Sequence, residues 1–228
     1  AAARALGELG DRRFERRTGP HRDYLLPPLV RIEGGIYRIG SDEDQENERP
    51  MHEVEVASFQ LGRFPVTNAE WRLFMEAGGY DDERWWDTDQ AKSWWRGEST
   101  AQGPKREWRS HRSDVLQPRF DEIRQWQRDG RITSKQGDEW EAIAKMSDQE
   151  FEALLDDWYP AGRQTQPGWW NDPAFNHPAQ PVVGICWHEA RAFCAWLSVQ
   201  CIHRGLAFRL PSEVEWEVGA RGRSGRRY

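Results

Sequence analysis

Apolar positions along the chain change their spacing in a way that divides it. Leu29-Val30-Arg31-Ile32 runs into Gly34-Gly35, and Ile36-Tyr37-Arg38-Ile39 follows and stops at Gly40, the pattern of strands joined by a glycine turn. Val54 and Val56 alternate with Glu53 and Glu55 as on a half-buried strand, and Phe59, Leu61 and Phe64-Pro65-Val66 continue extended. The spacing then becomes helical. Thr67-Asn68-Ala69-Glu70 is a capping box, in which Thr accepts from a first-turn amide and Glu reaches back to the cap. Trp71, Phe74 and Met75 fall on one face behind it, and Gly78-Gly79 stops the helix.

The middle of the chain reads differently. Trp85-Trp86 and Trp94-Trp95 flank a charged stretch, and Phe120, Ile123 and Trp126 predict a helix ending at Gly130. Trp140, Ile143 and Ala144 predict another, and the box Ser147-Asp148-Gln149-Glu150 opens a third with Phe151, Leu154, Leu155 and Trp158 on one face. Residues 87–168 are therefore read as a helical, Trp-rich insertion. Strand character resumes at Pro181-Val182-Val183-Gly184-Ile185, expected as a short buried strand. A helix from Trp187 carries Ala190, Phe193, Cys194, Leu197 and Cys201 on one face, and Gly205 ends it. Phe208-Arg209-Leu210 is a brief extended piece, and Pro211-Ser212-Glu213-Val214-Glu215 starts the last helix with another box. Residues 1–28 read as a short helix and a Pro-rich linker, the tail of a larger protein, which leaves 29–228 as the domain.

Composition narrows the function classes. Only 37% of the 228 residues are hydrophobic, and 14 of them are Trp, so tryptophan must supply much of the core. No run of 18 apolar residues exists to span a membrane. The net charge of −6 argues against a dedicated nucleic-acid binder, and 3 Cys in a chain this long do not make a disulfide scaffold. The opening residues Ala1 to Glu8 lack a signal-peptide core, so a cytoplasmic location is the default expectation.

Several motifs in order carry a family likeness. Ile32-Glu33-Gly34-Gly35-Ile36-Tyr37-Arg38-Ile39-Gly40-Ser41 and Pro50-Met51-His52-Glu53-Val54 leading to Phe64-Pro65-Val66-Thr67-Asn68 resemble the opening of formylglycine-generating (sulfatase-modifying-factor) domains. Asn176-His177-Pro178 through Gly184 resembles the family's middle motif, and Trp187-His188-Glu189-Ala190 with Phe193-Cys194 and Trp196-Leu197 its second helix. Arg209-Leu210-Pro211-Ser212-Glu213-Val214-Glu215-Trp216-Glu217 with Ala220-Arg221-Gly222 is the most specific match. The resemblance implies an α+β, C-type-lectin-like fold with much irregular loop, of which the C-terminal part is missing. It also implies that two copper-binding catalytic cysteines and a calcium loop belong to that C-terminal part. No cysteine follows Cys201. None of the family's catalytic residues is carried over, no cofactor is expected of these residues, and calcium or copper enters only with the missing part. The fold is also similar to that of variable proteins diversified by retroelements, which display residues for ligand binding.

The remaining chemistry-bearing residues give few constellations. Cys194 and Cys201 lie about 10 Å apart along one helix, too far for a disulfide or shared metal. Cys186 precedes that helix at an N-cap-like position, where the helix N-terminus would lower its thiol pKa; the alternative is three buried small hydrophobes. No two of His21, His52, His111, His177, His188 and His203 stand one helical turn apart. The acidic loop Asp42, Glu43, Asp44, Glu46, Glu48 lacks EF-hand spacing and reads as a solvated loop. Paired tryptophans remain: Trp85, Trp86, Trp94, Trp95, Trp169 and Trp170 could form a platform for a carbohydrate or peptide, or could staple a core short of aliphatics. Together these observations predict a non-catalytic module for a protein or small-molecule ligand, at the C-terminal end of a larger bacterial protein and in contact with its other domains. The alternative is a formylglycine-generating or related metal oxidase whose catalytic cysteines lie beyond residue 228.

Overall fold

The computed structural model describes residues 13–42 and 48–222. The chain folds as two compact units, one made of residues 1–86 and 165–228 and the other of 87–164.

The first unit begins with a hairpin. β1 (Glu15–Gly19) pairs antiparallel with β2 (Arg22–Leu26), Arg17 opposite Tyr24. This corrects the reading of a helix and linker over 1–28: Tyr24 and Leu26 are buried on one face of β2, so residues 15–26 are part of the folded unit. The turn is made by Pro20, His21 and Arg22, the last at φ 71°. The predicted helix over the first residues lies outside the described part. β3 (Leu29–Ile32) pairs with β6 (Phe59–Gly62), and between them in sequence β4 (Gly35–Ile39) pairs with β5 (His52–Val56). Both ladders are antiparallel, and Tyr37, Ile39 and Val56 point to a common buried side.

Helix α1 (Asn68–Glu76) forms where the capping box predicts it, with Thr67 as N-cap. Trp71 and Phe74 are buried, and Gly78 adopts φ +78° past the end. A Cβ on Gly79 would stand 2.2 Å from the Phe74 ring, so only glycine lets the chain turn back over that ring.

The 87–164 unit is helical: α2 (Asp89–Trp95), α3 (Gln102–His111) continuing through a π-helical turn at Arg112–Leu116, α4 (Phe120–Arg128), α5 (Ser134–Lys145) and α6 (Asp148–Trp158). Its core is Leu116, Ile123, Trp126, Ile143, Phe151 and Leu155. Arg112 is buried beside this core with its charge and donors matched. Its guanidinium donates to the carbonyls of Ile143 and Met146 and to Asp148, and lies 4.6 Å from the Phe151 ring.

Back in the first unit, α7 (Trp187–Gln200) is followed by a 3-10 turn (Ile202–Arg204) that Gly205 closes at φ 65°. Its buried face is Glu189, Ala192, Phe193, Trp196, Leu197 and Gln200, rotated from the predicted stripe: Ala190 and Cys194 are only half-buried, and two polar residues lie inward instead. α8 (Glu213–Arg221) starts at the Ser212 box and sets Val218 against Tyr37, Ile39 and Val56. The strand expected at 181–185 is absent. Pro181 makes one bridge to Thr67, and Gly184 at φ 70° ends any extension.

Aromatic rings bind α1 to α7. Trp71 stacks on Phe193 with centroids 5.1 Å apart and planes 11° apart, and Phe74 meets the edges of both. Trp196 closes this cluster from α7.

Candidate functional site

The N-termini of α1 and α7 are each held by a buried carboxylate. Glu70 Oε2 accepts from the Thr67 amide and hydroxyl, both at 2.7 Å. Burial pushes its pKa up to about 7 from an ordinary 4.5, against those hydrogen bonds, which pull it down. On α7 the same spacing recurs with Cys186 in the cap position: Glu189 Oε2 accepts the Cys186 amide at 2.7 Å, and Oε1 accepts the Tyr80 hydroxyl at 2.5 Å. Burial raises the Glu189 carboxyl and the Tyr80 phenol above their ordinary values.

Cys186 does sit at the helix N-terminus, but its thiol is not activated. Burial, then the neighbouring Glu189 charge, pushes it up to about 12. Burial likewise takes Cys194 up to about 11. Cys201 is fully buried and its thiol is also raised by burial. The expected effect of the helix terminus is thus outweighed by desolvation. Among the described residues no three His, Cys, Asp or Glu side chains gather into a set that could hold a metal. Asp42 accepts the Met51 amide, and Glu43, Asp44 and Glu46 of the acidic loop lie outside the described residues.

The segment leading to α7 is pinned on the N-terminus of α1. The Asn68 amide donates to Gln180 O and that of Ala69 to Pro178 O, while Val182 N donates to Val66 O. Asn68 itself is buried, and its side-chain amide donates to the carbonyls of Phe175 and His177 at 2.7 and 2.9 Å. His177 Nε2 is buried with no hydrogen-bond partner among the described residues. From this fixed segment Trp169 and Phe175 project outward, 57% and 43% exposed, with rings 5.9 Å apart. Trp170 lies under the Arg72 guanidinium at 5.7 Å. Gly184 backs Trp169, since a Cβ there would stand 3.1 Å from its ring.

The six candidate tryptophans therefore part company. Trp85 and Trp86 are 3% and 1% exposed: Trp85 meets the His21 ring edge-on and Trp86 packs on Tyr80. Trp94 is buried and Trp95 half-buried within the 87–164 unit, where the Arg163 guanidinium covers the Trp95 ring. A shared platform of all six is not formed, because three of them are consumed by core packing. Of the six only Trp169 is strongly exposed, and its partner Phe175 escaped the sequence reading. The available signal was an aromatic between Trp169-Trp170 and the Asn176-His177-Pro178 motif, in a segment without periodicity.

Comparison with known proteins agrees with the motifs. The Sulfatase-modifying factor enzyme 1-like domain family matches residues 16–228. A hercynine oxygenase of Mycolicibacterium smegmatis is 50% identical over 62 residues, 25% of this chain and 14% of that protein. The hercynine oxygenase of Mycobacterium tuberculosis is 29% identical over 173 residues, 75% of this chain and 25% of its own. An inactive C-alpha-formylglycine-generating enzyme 2 of Bos taurus is 29% identical over 204 residues, 85% of this chain and 48% of that protein. The chain thus spans less than half the length of each of these relatives. No helix among the described residues is long and apolar enough to cross a membrane. The chain belongs to the sulfatase-modifying factor enzyme 1-like (FGE-sulfatase) domain family.

Proposed function

We propose that this chain is a non-catalytic binding module of the family with a C-type-lectin-like fold, and that Trp169 and Phe175 are its ligand contact. The observation that carries the reading is the pair of exposed rings: Phe175 starts a stretch, 175–182, held by five hydrogen bonds to residues 66–69, and Trp169 follows the Gly168 amide bonded to Gly184 O. Rigid aromatic side chains offer large contact area at low entropic cost, and exposed ones on a fixed loop are the usual anchors of an interface. The chemistry of the buried groups points the same way. Glu70 and Glu189 hold backbone amides, and the cysteine thiols resist ionisation. Display of variable residues in the manner of retroelement-diversified proteins is one form such a module takes.

A second reading is that the chain forms part of an oxygenase related to the hercynine oxygenases, and the 50% identity over 62 residues favours it. Oxygen uptake separates the two. The purified chain is supplied with Cu(I) or Fe(II), and with either hercynine plus cysteine or a cysteine-containing peptide. The binding reading expects no uptake above the protein-free blank. Turnover that depends on the chain overturns it.

A further inference from the structure

The β1–β2 hairpin and the C-terminal end of α7 enclose a groove of about 680 Å³. Its ionisable lining is Arg16, Arg17, Arg204, His203 and Tyr24, with no carboxylate among the lining residues. In a chain of net charge −6 this is a local concentration of the opposite sign. Arg16 and Arg17 reach Asp23 and Glu15, carboxylates outside the lining, in exposed pairs that a ligand can replace at small cost. Arg204 is exposed and has no ion-pair partner among the described residues. Tyr24, 3% exposed and opposite Arg17 across the β1–β2 ladder, belongs to the same lining as Arg17 and Arg204. The walls are held in place: Gln200 grips the turn of the hairpin through both His21 backbone groups, and the Gly205 cap fixes the 3-10 turn bearing His203 and Arg204.

We propose that this groove binds a small organic phosphate ester, its phosphate held by Arg17 and Arg204 with His203 as a further donor, and its body lying along the turn at Thr18–Pro20. Guanidinium forks match phosphate oxygens in geometry as well as charge. A volume of this size falls in the range of small-molecule sites and exceeds what a bare phosphate fills. The groove involves neither Trp169 nor Phe175, so the proposal stands or falls apart from the binding surface above.

Calorimetric titration of the full chain with AMP, glycerol 3-phosphate, inorganic phosphate and adenosine tests it. At least one ester is expected to bind with Kd below about 1 mM, more tightly than inorganic phosphate, and adenosine not at all. Arg204→Ala and Arg17→Ala should each weaken the ester about tenfold or more, and Arg204→Lys should recover part of the loss. Arg38→Ala, on the exposed pair with Glu53 of β5, should leave binding unchanged. Both arginines are exposed, so circular dichroism should report an unaltered fold. Neither ester binding, adenosine binding as well as AMP, phosphate matching both esters, or variants that bind like the parent would each overturn the proposal.

Discussion

Gln200 grips His21 from both sides: its Oε1 accepts the His21 amide at 3.0 Å and its Nε2 donates to the His21 carbonyl at 2.6 Å, across 179 residues of sequence. The side chain is 3% exposed and sits at the last position of α7. A Cβ on Gly19 would come within 2.2 Å of Gln200 Oε1, so the turn fits the clamp only as glycine. Gln200→Ala leaves two partly buried backbone groups without partners. The expected loss is about 1–3 kcal/mol in urea unfolding. Hydrogen exchange should show residues 15–26 opening first.

Exposure separates tryptophans that look alike in sequence. Trp86→Ala should cost about 3–5 kcal/mol, because its ring is 1% exposed and its removal leaves a cavity in the core. Trp169→Ala should change stability by about 1 kcal/mol or less. Parallel thermal melts of the two variants measure the contrast. A destabilisation by Trp169→Ala as large as that of Trp86→Ala would place Trp169 in the core and remove it as a contact surface.

Glu70 gives the fold a pH dependence. Its folded pKa of about 7 lies above its ordinary 4.5, so between those values the folded state holds more protons than the unfolded one. Stability from this group is complete below about pH 4.5 and declines as pH rises to about 7, by about 1–3 kcal/mol. The raised Glu189 carboxyl acts in the same direction. Glu70→Gln keeps an acceptor for the Thr67 amide and should flatten the curve. Denaturation at a series of pH values checks this, and an unchanged slope in the variant counts against it.

The thiols should be slow. With Cys186 near 12 and Cys194 near 11, almost none of either is thiolate at neutral pH. Iodoacetamide labelling followed by mass spectrometry should modify the folded protein at least about tenfold more slowly than the unfolded one at all three cysteines. Rapid labelling of folded Cys186 would mean that the helix terminus outweighs desolvation after all.

Punctuation was the legible part of the fold. The boxes at Thr67, Ser147 and Ser212 and the glycines at 78, 130 and 205 mark helix boundaries through local chemistry, which needs no tertiary partner. The β1–β2 hairpin was hidden because β1 is solvent-exposed along nearly its whole length and shows no apolar alternation. Burial of Glu70, Glu189 and Gln200 was hidden because polar residues on an inward helix face look solvated until their partners are known. Cys186-x-x-Glu189 carried the needed signal, a capping-box spacing with a thiol in the place of the usual hydroxyl. The candidate site was half legible. Residue type marks tryptophans as anchors, but only tertiary placement sorts Trp85 and Trp86 inward from Trp169 outward.

The bonds from Asn68 to Phe175 and His177 span 107 and 109 residues. During synthesis α1 therefore leaves the ribosome long before the carbonyls that its buried amide requires have been made. The helical segment between them is translated in that interval and closes on contacts much nearer in sequence. The aromatic seam between α1 and α7 thus cannot close before α7 has been made, and until then Trp71 and Phe74 are surfaces for a chaperone to shield.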